Sequence, residues 1–235
     1  MQDDDREVRV LADLGEVQRV AAERFAELAT AAVAARGTFR VVLAGGSTPR
    51  GLYRLLAAPP YRDGLAWDRI QCFMGDERDV PAEHPDSNYR MVHEALPHVE
   101  VLRFHTESGD PRAVAAGYAA SLRDVERFDL VLLGLGPDGH TASLFPGSPA
   151  LDERKALAAA VWVERLKAFR YTLTPAALNR ADCVIFLVAG EDKAEAVREV
   201  LTGSHDPQRW PAQVIRSEGG RLVWLLDREA AGLLP

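Results

Sequence analysis

Four short segments hold most of the residues able to do chemistry, and each directly follows an apolar run. In "GPDGHTASLFPG" (136–147), Asp138 stands two residues before His140. Imidazole changes charge close to neutral pH, and a carboxylate can fix which ring nitrogen carries the proton, so such a pair suits general-base work. The glycines here, Gly134-x-Gly136-x-x-Gly139, also have the spacing of a dinucleotide-binding turn. That turn runs from a strand into a helix and is followed by an acidic residue about 20 positions on. Here Pro137 follows the second glycine, His140 follows the third, and "SLFPGSP" contains two prolines that oppose a long helix. The expectation is a tight loop that presents Asp138 and His140, not a pyrophosphate cradle.

In "AGGSTP" (44–49), Gly45 and Gly46 let the backbone approach a ligand closely, and Ser47 and Thr48 add hydroxyls. Pro49 suits a first helical turn, whose free N–H groups would point into the same space. That arrangement suits phosphate, although the P-loop pattern itself is absent. "FMGDERDVP" (73–81) places Asp76, Glu77, Arg78 and Asp79 after an apolar run. Paired carboxylates there could do acid–base work and Arg78 could clamp a phosphate; the alternative is a charged, solvated turn with internal ion pairs. "AGEDKAEAV" (189–197) puts Lys193 in the first turn of a helix, where the helix dipole disfavours a cation and a bound anion would remove the conflict.

The elements that must position these loops read as alternating strands and helices. "EVRVL" is a short strand. Residues 16–36 place Val17, Val20, Ala21, Phe25, Leu28, Ala32 and Ala35 on one helical face, closed by Gly37. "FRVVLA" (39–44), "RIQCFMG" (69–75), "FDLVLLGL" (128–135), "DCVIFLVAG" (182–190) and "GRLVWLLD" (220–227) are strands. Several are continuous apolar runs, as in the middle of a parallel sheet. Helices are expected after "GGSTP", over 86–96 behind Asp86 or Ser87, over 110–125, after "GEDK", and in a closing "REAAGLL". "AVWVER" and "RYTLTP" add two short strands. The pattern implies one α/β domain over 1–235 with a mainly parallel sheet flanked by helices. Ligands of such sheets bind beyond the carboxyl ends of the strands, where the four loops lie.

Bulk properties exclude other classes. The formal net charge of -7 and the lack of a basic run argue against a nucleic-acid partner. No apolar run approaches the roughly 18–20 residues of a membrane span, and the acidic "MQDDDREVRV" lacks the order of a signal peptide. A cytoplasmic protein without a membrane partner is expected. Cys72 and Cys183 lie inside apolar runs and read as buried thiols. There is no Gly-x-Ser-x-Gly elbow, and the histidines of "HEALPH" (93–98) are wrongly spaced for zinc.

Together, "LAGGSTPRGLY", "GDERDVPAEHPDSNY", "LGLGPDGHTASLFPG", "RYTLTPAALNRAD" and "VAGEDKAEAV" resemble the 6-phosphogluconolactonases, in that family's order, over residues 43 to about 197. "GRLVWLLD" extends the likeness toward the C-terminus. The resemblance implies a sugar-phosphate isomerase-type, Rossmann-like α/β fold. It implies hydrolysis of 6-phospho-D-glucono-1,5-lactone in the oxidative pentose phosphate pathway, a small-molecule phosphorylated lactone as partner, a monomer, and neither metal nor organic cofactor. By position, His140 matches the family's base, with Asp138 or Asp76 to orient it. Ser47, Thr48, Arg78, Arg170 and Lys193 match groups that hold substrate, with Gly45 and Gly46 beside them. Two departures bear on Lys167, Arg170 and the last loop: "ERLKAFRYTLT" lacks the family's proline-rich approach, and "WPAQ" (210–213) replaces Leu-Pro-Ala-Ser.

The glucosamine-6-phosphate isomerase/deaminases share the glycine, Asp-Gly-His and lysine loops. They carry a glutamate five residues after the histidine for proton transfer; here that position is Phe145, and Arg78 replaces the tyrosine after their Asp-Glu pair. A non-catalytic sugar-phosphate sensor would keep the phosphate loops and need no base.

Overall fold

The computed structural model describes residues 6–235, so the acidic start of the chain, residues 1–5, lies outside the described residues. Ten strands are present among them: β1 (Arg6–Leu11), β2 (Phe39–Leu43), β3 (Ile70–Met74), β4 (Asp76–Arg78), β5 (Val101–Leu102), β6 (Leu130–Leu133), β7 (Ala158–Val163), β8 (Ala168–Leu173), β9 (Cys183–Val188) and β10 (Arg221–Asp227). The α-helices are α1 (Leu14–Arg36), α2 (Ser47–Leu56), α3 (Tyr61–Gly64), α4 (Asn88–Ala95), α5 (Pro111–Ser121), α6 (Pro175–Leu178) and α7 (Ala194–Thr202).

Seven strands form a parallel sheet in the order β1-β10-β9-β6-β2-β3-β5. Its middle is built from the continuous apolar runs: every residue of β6 and β9 is buried. Their alternate side chains point to opposite faces, so a strand covered on both faces needs an unbroken apolar sequence. Truncating one of these side chains, such as Leu132 (0% exposed), to alanine costs about 2–5 kcal/mol. The chain winds outward from β2 through β3 to β5, then returns to the other side of β2 and continues through β6, β9 and β10. The order therefore reverses between β2 and β6, where adjacent crossovers leave a crevice at the carboxyl ends.

Several boundaries follow from local chemistry. The Asp13 carboxylate accepts from the Glu16 N–H to start α1, and Gly37, at φ 76, stops it. Ser87, not Asp86, caps α4 through its side chain. Helix α5 ends at Ser121, short of 125. Residues 228–233 make a run of turns instead of a closing helix. The Asp227 carboxylate takes the Ala230 N–H at 2.7 Å, and a segment this short cannot repay helix nucleation.

The larger difference from expectation is a second sheet. β7 and β8 pair antiparallel, and β8 pairs antiparallel with β4. β4 is the charged "DER" segment, expected as a loop. Gly75 joins the two sheets: its N–H donates to Leu43 O of β2 (2.9 Å) and its carbonyl accepts from Leu173 N of β8 (2.8 Å). Cys72 and Cys183 are free and buried, and burial pushes their thiols up to about 12 and about 11. Among the described residues no helix is long and apolar enough to cross a membrane.

Candidate active site

A cleft of about 250 Å³ opens at the β2/β6 crevice. The segment after β2, the strand β4, the loop after β6 and the turn after β9 all line it. Of the residues singled out in the sequence, Gly45, Ser47, Thr48, Asp76, Arg78, His140 and Lys193 share this one space. Asp138, Gly46 and Arg170 do not line it but adjoin His140, Ser47 and Arg78, which do.

Ser47 is the first residue of α2, and the preceding Gly46 (φ 105) offers no side-chain cap. The first N–H groups of this ten-residue helix therefore remain available to a ligand at its positive end. The Gln18 carboxamide fixes the turn by donating to Thr48 O at 2.9 Å.

β4 delivers side chains in alternation. The buried Asp76 accepts from Ser143 Oγ (2.7 Å) and Asn88 Nδ2 (3.0 Å). Burial raises its pKa, while the Ser143 hydrogen bond and the charges of Arg78, His140 and Arg170 oppose that rise. Glu77 does a different job. Its carboxylate accepts from the N–H groups of Arg78 (2.8 Å), Asn88 (2.7 Å) and Tyr89 (2.8 Å) and from Ser87 Oγ (3.0 Å). It thus clamps the start of α4, and with it Asn88, against the cleft. Burial raises the Glu77 pKa against the pull of those N–H groups.

Arg78 lies directly across from Arg170 in the β4–β8 register. Like charges at opposed positions repel. Burial first, and then the charge of Arg78, push the Arg170 guanidinium below its usual range. Arg78 donates to Asp86 O (2.5 Å) and Arg170 to Phe169 O (2.9 Å), both of them neutral carbonyls.

The loop after β6 closes on itself through Gly136 N–H to His140 O (2.8 Å) and Gly139 N–H to Gly136 O (2.9 Å). A Cβ on Gly136 would lie 2.0 Å from His140 Nδ1, and one on Gly139 (φ 75) 2.7 Å from the Trp210 ring. The glycines thus make room for an imidazole and an indole. No helix starts there; the chain passes into the Thr141–Leu144 bridge and a 3₁₀ turn, which removes the dinucleotide reading. Asp138 is the carboxylate that touches the imidazole, through Oδ1 to Nδ1. Burial works against its charge, but the His140 hydrogen bonds and the charges of His140 and Arg165 outweigh that and hold it at about 2.

Lys193 ends a 3₁₀ turn after β9 and pairs with Asp192 at 2.9 Å. Asp227, from the neighbouring β10, accepts the Gly190 N–H at 3.1 Å and so anchors that turn. Lys167 lies at the exposed β7–β8 tip, paired with Glu164, away from the cleft. The 210–213 loop supports the site from behind: Trp210 covers Gly139 and the Ala212 N–H donates to Gly139 O at 2.9 Å. His93 stacks on Tyr89 and His98 meets Trp67 edge-on, both outside the cleft. Among the described residues, no three His, Cys, Asp or Glu side chains converge as a metal site.

Phe145 is marked in the sequence only as the deaminases' glutamate position, and Asn88, Ser143 and Arg165 are not singled out there. Ser143, three residues beyond His140, was open to notice. The others owe their place to pairings across long sequence separations, which no local pattern records.

Comparison with known proteins agrees with this geometry. The model of the family described as glucosamine-6-phosphate isomerases/6-phosphogluconolactonase matches residues 12–224. A 6-phosphogluconolactonase from Synechocystis is 42% identical over 215 residues, 86% of this chain and 87% of that protein. The structure of 6-phosphogluconolactonase from Trypanosoma brucei superposes with a TM-score of 0.84 at 31% identity, covering 98% of this chain and 99% of the other. A monomeric glucosamine-6-phosphate deaminase superposes equally well (TM-score 0.84) at 22% identity, covering 97% and 99%, a likeness of fold alone. The chain belongs to the glucosamine-6-phosphate isomerase/6-phosphogluconolactonase family.

Proposed function

We propose that this chain is a 6-phosphogluconolactonase, hydrolysing 6-phospho-D-glucono-1,5-lactone to 6-phosphogluconate in the oxidative pentose phosphate pathway. The observation that carries the reading is one cleft in which a carboxylate-held imidazole faces a helix N-terminus, Arg78 and Lys193.

The phosphate is held by the first N–H groups of α2, the Ser47 and Thr48 hydroxyls, Arg78 and Lys193, with Arg170 adding charge from its place opposite Arg78. An anion beside Arg78 offsets the repulsion between Arg78 and Arg170. Binding at this remote end places the lactone carbonyl beside a water near His140. With Asp138 ionised and accepting at Nδ1, the Nε2 lone pair is the base. It takes a proton as the water oxygen bonds to C1, and the carbonyl electrons move to oxygen. As the tetrahedral centre collapses, the C1–ring-oxygen bond breaks and the imidazolium returns its proton to the departing oxygen. Asp138 stabilises the imidazolium between these two transfers. Asp76, engaged by Ser143 and Asn88, is assigned to fixing the His140 loop against β4 rather than to orienting the ring.

At the deaminases' glutamate position, the Phe145 ring lies 4.6 Å from the His140 ring and carries no exchangeable proton. Both sheets contribute to the one cleft, which supports reading the chain as a single domain. A monomer is what the resemblance to the 6-phosphogluconolactonases implies. The free buried thiols fit a cytoplasmic setting.

The test is acid release from 6-phosphogluconolactone generated in situ, with spontaneous opening subtracted, beside ammonia release from glucosamine 6-phosphate. Turnover of the lactone alone supports the reading. Ammonia release, or binding of either sugar phosphate without turnover, moves the assignment to a deaminase or a sensor.

A further inference from the structure

The tip of the β7–β8 hairpin, Glu164–Leu166, is exposed and stands far in sequence from the His140 loop. Yet Arg165 reaches that loop. Its Nη2 lies 3.2 Å from Asp138 Oδ2, while Oδ1 of the same carboxylate meets His140 Nδ1. The guanidinium carbon is 5.2 Å from the centroid of the Phe145 ring. That ring in turn is 4.6 Å from the His140 ring. Four side chains from two separate segments, the hairpin tip and the loop after β6, close a circuit: Arg165, Asp138, His140, Phe145 and back to Arg165.

The rest of the tip is otherwise engaged. Lys167 pairs with Glu164, which also accepts from Trp162 Nε1 at 2.7 Å. His140 and Arg165 are the ionisable side chains that touch Asp138. An exposed ion pair adds little to stability; what this one supplies is orientation. A carboxylate held by one oxygen can turn about its terminal torsion, which is broad. Held by both, it fixes the imidazole's plane and the nitrogen that carries hydrogen. The cation–π contact of the guanidinium with Phe145 also holds that ring in place beside His140.

We propose that Arg165 is a positioning residue for the His140 base, acting through Asp138 and Phe145 without touching substrate. The inference rests on the lactonase reading above. Its test is a double-mutant cycle in steady-state kinetics with Arg165→Ala, Asp138→Asn and the double variant, after circular dichroism shows all are folded. Arg165→Ala lowers kcat about 5–10-fold with KM within about twofold, and Arg165→Lys restores part of the loss. In the Asp138→Asn background the same change alters kcat by less than about twofold, because coupled residues are not additive. Equal losses in both backgrounds, an effect on KM alone, or a wild-type kcat in Arg165→Ala would each overturn the proposal. An inactive wild type takes down the lactonase reading and this inference together; an active wild type with an unaffected Arg165→Ala overturns the inference alone.

Discussion

The loops of the parallel sheet and the small antiparallel sheet build opposite halves of the site by different means. The parallel sheet works largely through backbone shape. Gly46 opens an uncapped helix end, and Gly136 and Gly139 fold a loop tight enough to hold His140. The small sheet works through side-chain charge: Asp76 and Arg78 on β4, Arg170 on β8, and Arg165 at the hairpin tip. In a chain of net charge -7, an anionic substrate requires such local gathering of cations. The contrast teaches that one site can be built by backbone shape on one side and by gathered side-chain charge on the other. Changes on the His140 loop should therefore act on kcat, and changes at Arg78 and Arg170 on KM.

The largest expected effect is at His140. His140→Ala lowers kcat about 10²–10³-fold, within the usual worth of a positioned base, in lactone hydrolysis assays. Next, Arg78→Ala raises KM about 10–100-fold, as loss of a charge-assisted contact to phosphate predicts. Arg170→Ala raises it less, because Arg170 does not line the cleft, and competition by inorganic phosphate weakens in parallel. A kcat effect at Arg78 as large as that at His140 would break the division of labour. Third, Gly136→Ala displaces the imidazole, because the added carbon would lie 2.0 Å from Nδ1. It lowers kcat about tenfold or more with KM nearly constant, since even small misplacement of a catalytic group is costly.

The smallest effect is on stability. Asp138 is held at about 2 when folded, below its ordinary range near 3.9. A depressed carboxylate pKa stabilises the fold above the unfolded value and loses that contribution as pH falls toward the folded one. The melting-temperature difference between wild type and Asp138→Asn is thus constant above about pH 5 and shrinks between about pH 4 and pH 2. A difference that grows on acidification contradicts the assigned pairing.

The same contrast governs what the sequence discloses. β2, β6 and β9 are legible because a strand buried on both faces must be apolar throughout, and their loops stand out as polar interruptions. From these came the cleft, the His140 loop and the phosphate end. The small sheet is not legible in the same way. β4 is three charged or acidic residues, and it pairs Asp76 with Thr172 across almost a hundred positions. No periodicity announces such a strand, so the Arg78–Arg170 opposition and the Arg165 contact emerge only from tertiary structure. Choosing between Asp138 and Asp76 as the partner of His140 likewise needed the fold. Both precede a plausible turn, but only Asp138 shares the tight loop whose closure brings its oxygen to Nδ1.

The central claim is that a base on one sheet's loop and an anion clamp on the other sheet cooperate in lactone hydrolysis. The most direct measurement is kcat and KM for wild type, His140→Ala and Arg78→Ala on one preparation of 6-phosphogluconolactone, with spontaneous opening subtracted. Rapid wild-type turnover is expected, with a collapse of kcat and little change in KM for His140→Ala, and a raised KM with most of kcat retained for Arg78→Ala. A wild type that does not accelerate opening, or a His140→Ala variant with wild-type kcat, would contradict that claim.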